Sequence, residues 1–279
     1  MAGERPSDGV ERKDKKNYGQ RLSTALAFLF ANQLRQTQVF PAKAILPDKD
    51  GTGLETAFKT GKAKMPKRTD VTYSTAQSGL ELLISIKTLN FKDKHTDQKT
   101  KTVTYSRFTR NVVRNDHELR AEAMDQHDRH PYAVIIGAYF CPIEACDDAG
   151  ERGDDRSSFA HAVIHFRFRS GRKDPHGPTE LFERFFIGLY EHQGAKKGEV
   201  CFFDVAAPPP KKGRPKKDQL LSLEDVIQEV TREYGLRNRH FIEWAGETHE
   251  VPSASLKAAL AATEQVSREE DDAEEDEDE

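Results

Sequence analysis

Apolar side chains Leu22, Ala25, Leu26, Leu29, Phe30 and Leu34 recur every three or four residues between Gly19 and Gln36. This spacing predicts an amphipathic helix. The preceding stretch is charged, contains Gly and Pro and has no apolar period, so residues 1–19 are expected to form a disordered N-terminus. A short apolar run from Val39 to Leu46, broken by Pro41 and closed by Pro47, suits an edge strand. Residues 48–69 are rich in Gly and Lys and read as a basic loop around one helical turn near Leu54 to Phe58. Asp70 to Thr75 and Leu80 to Phe91 are β-rich runs joined by four residues ending in Gly79, which predicts a hairpin.

Beyond the hairpin the pattern changes character. Residues 92–114 form a basic excursion, followed by a helix over about Asp116 to Arg129 that Pro131 ends, and by a buried strand from Tyr132 to Cys141. Phe159 to Phe168 alternates in part and suggests a further strand. Glu180 to Glu191 reads as an apolar helix whose Phe182, Phe185, Phe186 and Tyr190 face the core, and Val200 to Val205 as a last strand. Pro208 to Lys217 has linker composition; after it, Ser222 and Asp225 form a capping-box start for a helix from Leu223 to Tyr234. The resulting expectation is an α/β core over 20–205, a basic linker at 206–221, a C-terminal helical element at 222–262, including Leu236 to Trp244, and an acidic tail at 263–279.

Composition narrows the function classes. The chain has 279 residues, 36% hydrophobic and 32% charged, and its most apolar stretch, Leu22 to Leu34, is interrupted by Ser23, Thr24, Asn32 and Gln33. A spanning helix needs ~20 apolar residues, so no membrane span is expected and a cytoplasmic location follows, with a charged lead unlike a signal peptide. Three cysteines suit reduced thiols, and the pairs His127/His130 and His161/His165 would be metal candidates only if a third ligand met them, reading otherwise as structural or surface histidines. The formal charge of −4 hides an asymmetry: residues 269–279 hold ten acids and no base, and without them the charge becomes +6. A basic body of this kind favours polyanionic partners.

The hairpin carries the candidate chemistry. Closed symmetrically around 76–79, it pairs Thr75 with Leu80, Thr72 with Leu83 and Asp70 with Ser85. Alternation then puts Val71, Tyr73, Leu80, Leu82, Ile84 and Ile86 on an apolar face, and Asp70, Thr72, Ser74, Glu81, Leu83, Ser85 and Lys87 on the other. Asp70 is thereby diagonal to Lys87, within ~5–8 Å. A carboxylate and an ammonium on one sheet surface are what metal-assisted phosphodiester hydrolysis requires. Asp70 would bind a hard cation, the Ile86 carbonyl would add a ligand, and Lys87 would orient water and offset charge on the phosphorane. A solvated cross-strand ion pair is the alternative reading of the same two residues.

The order Asp70, hairpin, Ser85-Ile86-Lys87, helix and buried strand resembles the PD-(D/E)xK nuclease superfamily over about residues 20–145. The stretches GLELLISIKTLNF and NDHELRAEAMDQHDRHPYAVIIG are similar to restriction-endonuclease-like bacterial proteins. The resemblance implies a restriction-endonuclease-like mixed central sheet flanked by helices, with Mg²⁺ or Mn²⁺ as cofactor and DNA as substrate. It also implies a restriction or anti-phage setting, with a homodimer or defence-system partner subunits. Thr69 stands where the motif has Pro, and Ser85 where it has its second acid. Members with serine at that place take the acid from the following helix, which here offers Glu122 first and Glu118 second, with Asp125 on the same stripe opposite Leu119 and Ala123. Glu55 matches the acid that the family's first helix contributes. Glu81, four residues along the strand from Ser85, is ~13 Å away and cannot substitute. The implied catalytic set is therefore Asp70, Ser85, Lys87 and Glu122. A catalytically silent DNA-binding or scaffold subunit of the same fold is the competing possibility, and an interaction module using the acidic tail as a DNA mimic is a third.

Two basic flanks bracket Asp70 and Lys87. Lys59, Lys62, Lys64, Lys67 and Arg68 precede the aspartate. Lys92, Lys94, Lys99, Lys101, Arg107, Arg110 and Arg114 follow the lysine, with Asn111 and Asn115 placed to reach base edges. Arg214, in the Gly-Arg-Pro core of KKGRPKK, resembles an AT-hook that lies in a minor groove, or belongs to a charged linker.

Overall fold

Among the described residues of the computed structural model, four α-helices and ten strands are arranged about a six-stranded sheet. Residues 2–51, 56–58, 67–75, 78–109, 111–150 and 155–238 are described, with 56–58 and 67–69 described by backbone alone. The chain divides into Met1–Arg237, treated below, and Asn238–Glu279, of which only Asn238 is described. No helix among the described residues is long and apolar enough to cross a membrane.

In chain order the elements are α1 (Arg12–Gln36), β1 (Ile45–Leu46), β2 (Thr56–Phe58), β3 (Lys67–Thr69), β4 (Val71–Thr75), β5 (Gly79–Thr88), β6 (Lys94–Thr96), β7 (Val103–Tyr105), α2 (Val112–His127), β8 (Val134–Pro142), α3 (Ser158–Arg167), β9 (Arg184–Tyr190), β10 (Val200–Asp204) and α4 (Leu223–Arg237). The main sheet runs β1-β4-β5-β8-β9-β10, and β2-β3 and β6-β7 form separate pairs. β5, β8 and β9 are parallel, while β1, β4 and β10 pair antiparallel at the two edges. Parallel strands need crossovers, supplied by β6, β7 and α2 between β5 and β8, and by α3 between β8 and β9.

Two apolar layers result. On one face, Leu22, Leu26, Phe30 and Leu34 of α1 and Val226, Ile227 and Val230 of α4 pack on Val71, Ile84, Ile86 and Phe140. On the other, Leu119 and Ala123 of α2 and Phe159, Val163 and Phe166 of α3 pack on Leu83, Ile135, Tyr139 and Phe185. Both faces of the sheet are thus covered, so the side of the hairpin expected to be wet is itself interior: Thr72 and Ser85 are buried.

The hairpin forms in the expected register where it matters, with Val71 opposite Ile84 and Thr72 opposite Leu83. Nearer the turn the register slips at Tyr73/Ser74, so that Ser74 faces Leu80 and Thr75 faces Gly79. One added residue on β5 reverses the alternation, and Leu80 packs in the α2 layer rather than with Val71 and Tyr73.

Several expectations are corrected. Helix α1 starts at Arg12, because Tyr18 extends its buried stripe by one turn, and the preceding residues are tied down: Arg5 Nε donates to the Asn90 carbonyl at 2.7 Å, and Asp8 accepts from the Lys92 N–H at 3.0 Å. Glu180–Glu191 is not a helix: β9 runs through it and is apolar all round because both faces are covered. Phe159–Phe168 is not a strand but α3, where Ser157 caps the first turn by accepting from the Ala160 N–H at 3.1 Å, and Phe159, Ala162, Val163 and Phe166 share the buried face. The turn expected near Leu54 to Phe58 is replaced by β2. The 206–221 segment is strapped down, with Lys211 O accepting from Ser157 N and Gly213 N donating to Cys146 O, and α4 belongs to the core rather than to a separate element. The part of the C-terminal element beyond Asn238, and the acidic tail, lie outside the described residues.

Strands β8 and β9 interlock through alternating size. Gly137 faces Phe185 and Phe140 faces Gly188 across the pair. A Cβ at Gly188 would meet the Phe140 ring at 2.3 Å. Phe140 is held in turn against Phe30 and Phe202 and cannot retreat. Gly188→Ala is expected to destabilise the protein by about 1–3 kcal/mol through overpacking; a lower urea midpoint at unchanged m-value checks it, and an unchanged midpoint contradicts it.

Candidate active site

The site begins where β4 ends its pairing. The last antiparallel pair is Val71 with Ile84, so Ile86, the next β5 residue pointing its peptide group that way, faces the space beyond the strand. The bond from Leu89 N–H to Phe140 O at 2.8 Å fixes the alternation: odd-numbered residues of β5 address β8 and even-numbered ones address β4. Asp70, immediately before β4, fills the vacated position and accepts the Ile86 N–H through Oδ2 at 2.7 Å. The Ile86 carbonyl leaves the strand on the same edge, because a strand residue's N–H and C=O point to the same neighbour.

Glu122 reaches Ser85 and Lys87 of β5 from α2. Ser85 Oγ, fully buried, donates to Glu122 Oε2 at 2.9 Å, and Lys87 Nζ lies 3.6 Å from the same oxygen. The other oxygen, Oε1, is buried with no hydrogen-bond partner among the described residues. Ser85 and Lys87 share a strand face, two residues apart, so one carboxylate spans both.

The acids of α2 do not share an environment. Glu122 is on the inward stripe with Leu119 and Ala123 rather than opposite them. Glu118 faces outward and accepts from Arg114 Nε at 2.8 Å, and Asp125 pairs with Arg129 at 3.0 Å. Glu81, as expected, lies away from Ser85; it accepts from Tyr234 at 2.6 Å, tying α4 to the sheet.

Charge balance keeps Lys87 an ammonium. Burial pushes its pKa down, but the Glu122, Asp70 and Glu118 charges oppose that and win, so the group ends above its ordinary value. A raised lysine pKa means that the stabilisation is present at all pH below the ordinary value and is lost only as pH rises through the higher, folded one. Lys87 therefore serves as a cation at neutral pH rather than as a base.

Asp70, Ile86 and Lys87 open into a cleft of about 470 Å³ between α1 and the start of α2, with Ser85 and Glu122 buried behind its lining. Asp70, Ile86, Lys87 and Thr88 form its floor, Asn115 one wall, and Lys16, Gln20, Ser23 and Thr24 the other. The cleft lies toward the carboxyl end of β5, the end at which parallel sheets bind ligands.

Most of the expected nucleic-acid contacts fall elsewhere. None of the described basic residues from Lys92 to Arg114 lines the cleft. Lys94, Lys99 and Lys101 are exposed on the β6–β7 hairpin, Lys92 lies over the Phe108 ring, and Arg107 donates to the Arg156 carbonyl. Asn111 is exposed at the N-cap of α2. Arg214 is held by Asp147 at 3.0 Å and Glu191 at 3.5 Å, so the AT-hook reading has its arginine in intramolecular pairs. Glu55, Lys64 and Arg110, and the side chains of Lys67 and Arg68, lie outside the described residues.

Two buried ionic clusters were not anticipated. Asp116 binds Arg169 through both oxygens at 2.6 and 2.8 Å. Glu183 accepts from Ile135 N at 2.7 Å and pairs with Arg172 and Arg237 at 3.0 Å each, with His127 at 3.4 Å. His127 is thus a structural residue, and no group of three His, Cys, Asp or Glu side chains among the described residues is arranged to hold a metal. A cation at the β5 site would rest on two carboxylates and a carbonyl, with water completing the shell. That fits Mg²⁺, which binds through one or two carboxylates and keeps several waters.

Compared with models of protein families, with curated proteins and with solved structures, the chain has no match.

Replacing Glu122 by Gln removes the largest charge supporting Lys87 while leaving it half-buried. The Lys87 Nζ titration, followed by heteronuclear NMR, is expected to move to lower pH in Glu122→Gln, and an unmoved titration contradicts the assigned contact.

Proposed function

We propose that this chain is a metal-dependent endonuclease of the PD-(D/E)xK type, hydrolysing DNA phosphodiester bonds on a restriction-endonuclease-like sheet. The observation that carries the reading is the position of Glu122. The acid missing at position 85 is supplied from α2, bonded to the serine that replaced it and beside Lys87. Resemblance nominated that glutamate, and a solvated surface pair of Asp70 and Lys87 has no use for a buried third carboxylate.

Asp70 and Glu122 Oε1 would hold a divalent cation with the Ile86 carbonyl. The donor set fits on two grounds: both oxygen types are those Mg²⁺ selects, and Oε1 is a buried acceptor with no hydrogen-bond partner among the described residues. When bound, such an ion supplies Lewis-acid polarisation of the phosphate and lowers the pKa of a coordinated water. The chain's own residues prepare the rest. The Ile86 N–H orients Asp70, Ser85 fixes the Glu122 rotamer, and the Lys87 ammonium faces the negative charge that grows on the phosphoryl oxygens. The partly closed cleft wall limits water and strengthens these interactions.

Incubation of the purified chain with plasmid and with labelled duplex, in Mg²⁺, Mn²⁺ or EDTA, tests the proposal. Cleavage is expected with either metal and not with EDTA. Asp70→Asn, Glu122→Gln and Lys87→Ala should each reduce the rate on the order of 10²-fold or more while retaining the fold by circular dichroism. Binding without cleavage in the parent chain would instead identify a silent DNA-binding subunit.

A further inference from the structure

The α1 wall of the cleft is a single helical stripe: Lys16, Gly19, Gln20, Ser23, Thr24 and Ala27 follow one another at helical spacing. Gly19, Ser23 and Ala27 are small and leave room for a ligand, and Lys16 stands at the mouth. Its neighbour Lys15 is used internally, donating to the Asp8 carbonyl at 2.5 Å and lying over the Phe91 and Tyr105 rings. Lys16, by contrast, is exposed and has no hydrogen-bond or ion-pair partner among the described residues.

The other cation of the cleft is already committed, since Lys87 lies against Glu122 and within reach of the Asp70 charge. A polyanionic strand entering the cleft would meet the Asp70 carboxylate and one neutralised lysine on the floor, with the Glu122 charge behind that lysine. It needs a positive charge on the facing wall.

We propose that Lys16 is a substrate-positioning residue whose ammonium pairs with a non-bridging phosphate oxygen of a nucleic-acid backbone lying along this stripe, with Gln20 and Asn115 donating hydrogen bonds beside it. The proposal rests on the nuclease reading and adds to it the face from which the strand is held. Lys16 does not touch the reacting atoms, so its loss acts on binding before chemistry.

The test combines cleavage kinetics in Mg²⁺ with equilibrium binding of a labelled duplex in Ca²⁺ over a salt series. Lys16→Ala is expected to raise KM several-fold, with a smaller effect on kcat, and to reduce the slope of log Kd against log salt by about 0.9, the loss of one phosphate contact. Lys16→Arg should restore both. Lys13→Ala, which removes an exposed charge one turn before Lys16 that does not line the cleft, should leave both nearer the parent values. An unchanged slope and KM in Lys16→Ala while the parent cleaves, or equal effects from Lys13→Ala, overturns the assignment of Lys16 alone. A parent chain that neither binds nor cleaves overturns the nuclease reading and this inference with it.

Discussion

A carboxylate almost withdrawn from water is tolerated only where opposite charge and hydrogen bonds replace its hydration. Glu122 meets that condition on one side alone. Its Oε2 has a serine hydroxyl and a lysine ammonium, and its Oε1 has neither, although both oxygens are buried. The Asp70 charge also favours the Lys87 ammonium that faces it. On the proposed reading, the unfilled Oε1 is where a cation would bind. The rest of the molecule can be understood as the frame that brings α2 to the carboxyl end of β5 with this side chain turned inward.

That frame depends on the sheet being covered on both faces. Had the α2 face been wet, Glu122 would have been one more solvated acid like Glu118, paired with an arginine on the helix surface. Instead Leu119 and Ala123 pull α2 onto Leu83 and Ile135, and Glu122 is carried inward between them. The opposite layer does different work. Helix α1 buries one stripe against the sheet, while a neighbouring stripe faces the cleft.

The hairpin and its register near Asp70 were legible because strand alternation and a glycine-closed turn are strong local signals, and the resemblance pointed to Glu122, mid-helix in α2, which the structure places against Ser85 and Lys87. The restriction-endonuclease-like fold itself goes beyond what the sheet topology shows, which is a six-stranded mixed sheet between helical layers. What the sequence did not disclose has identifiable causes. Strand β9 and helix α3 were interchanged because a short run that is apolar on every side has no period to read; only the Ser157 cap and the Gly188 contact, visible in three dimensions, separate the two. The slip at Tyr73/Ser74 depends on an added residue near the turn that alternation cannot register. Lys16 was missed because charge and a lack of apolar period between residues 1 and 18 obscured Tyr18, whose burial carries α1 back to Arg12.

The central claim is that Asp70 and Glu122, on different elements and far apart in sequence, face a single cation. Anomalous diffraction from crystals soaked in Mn²⁺ tests it most directly. The account predicts one peak bounded by the carboxylates of Asp70 and Glu122 and the carbonyl of Ile86, absent from Glu122→Gln crystals. A fully soaked crystal with no density there, or with the ion bound by one of these carboxylates while the other stays engaged elsewhere, would contradict it.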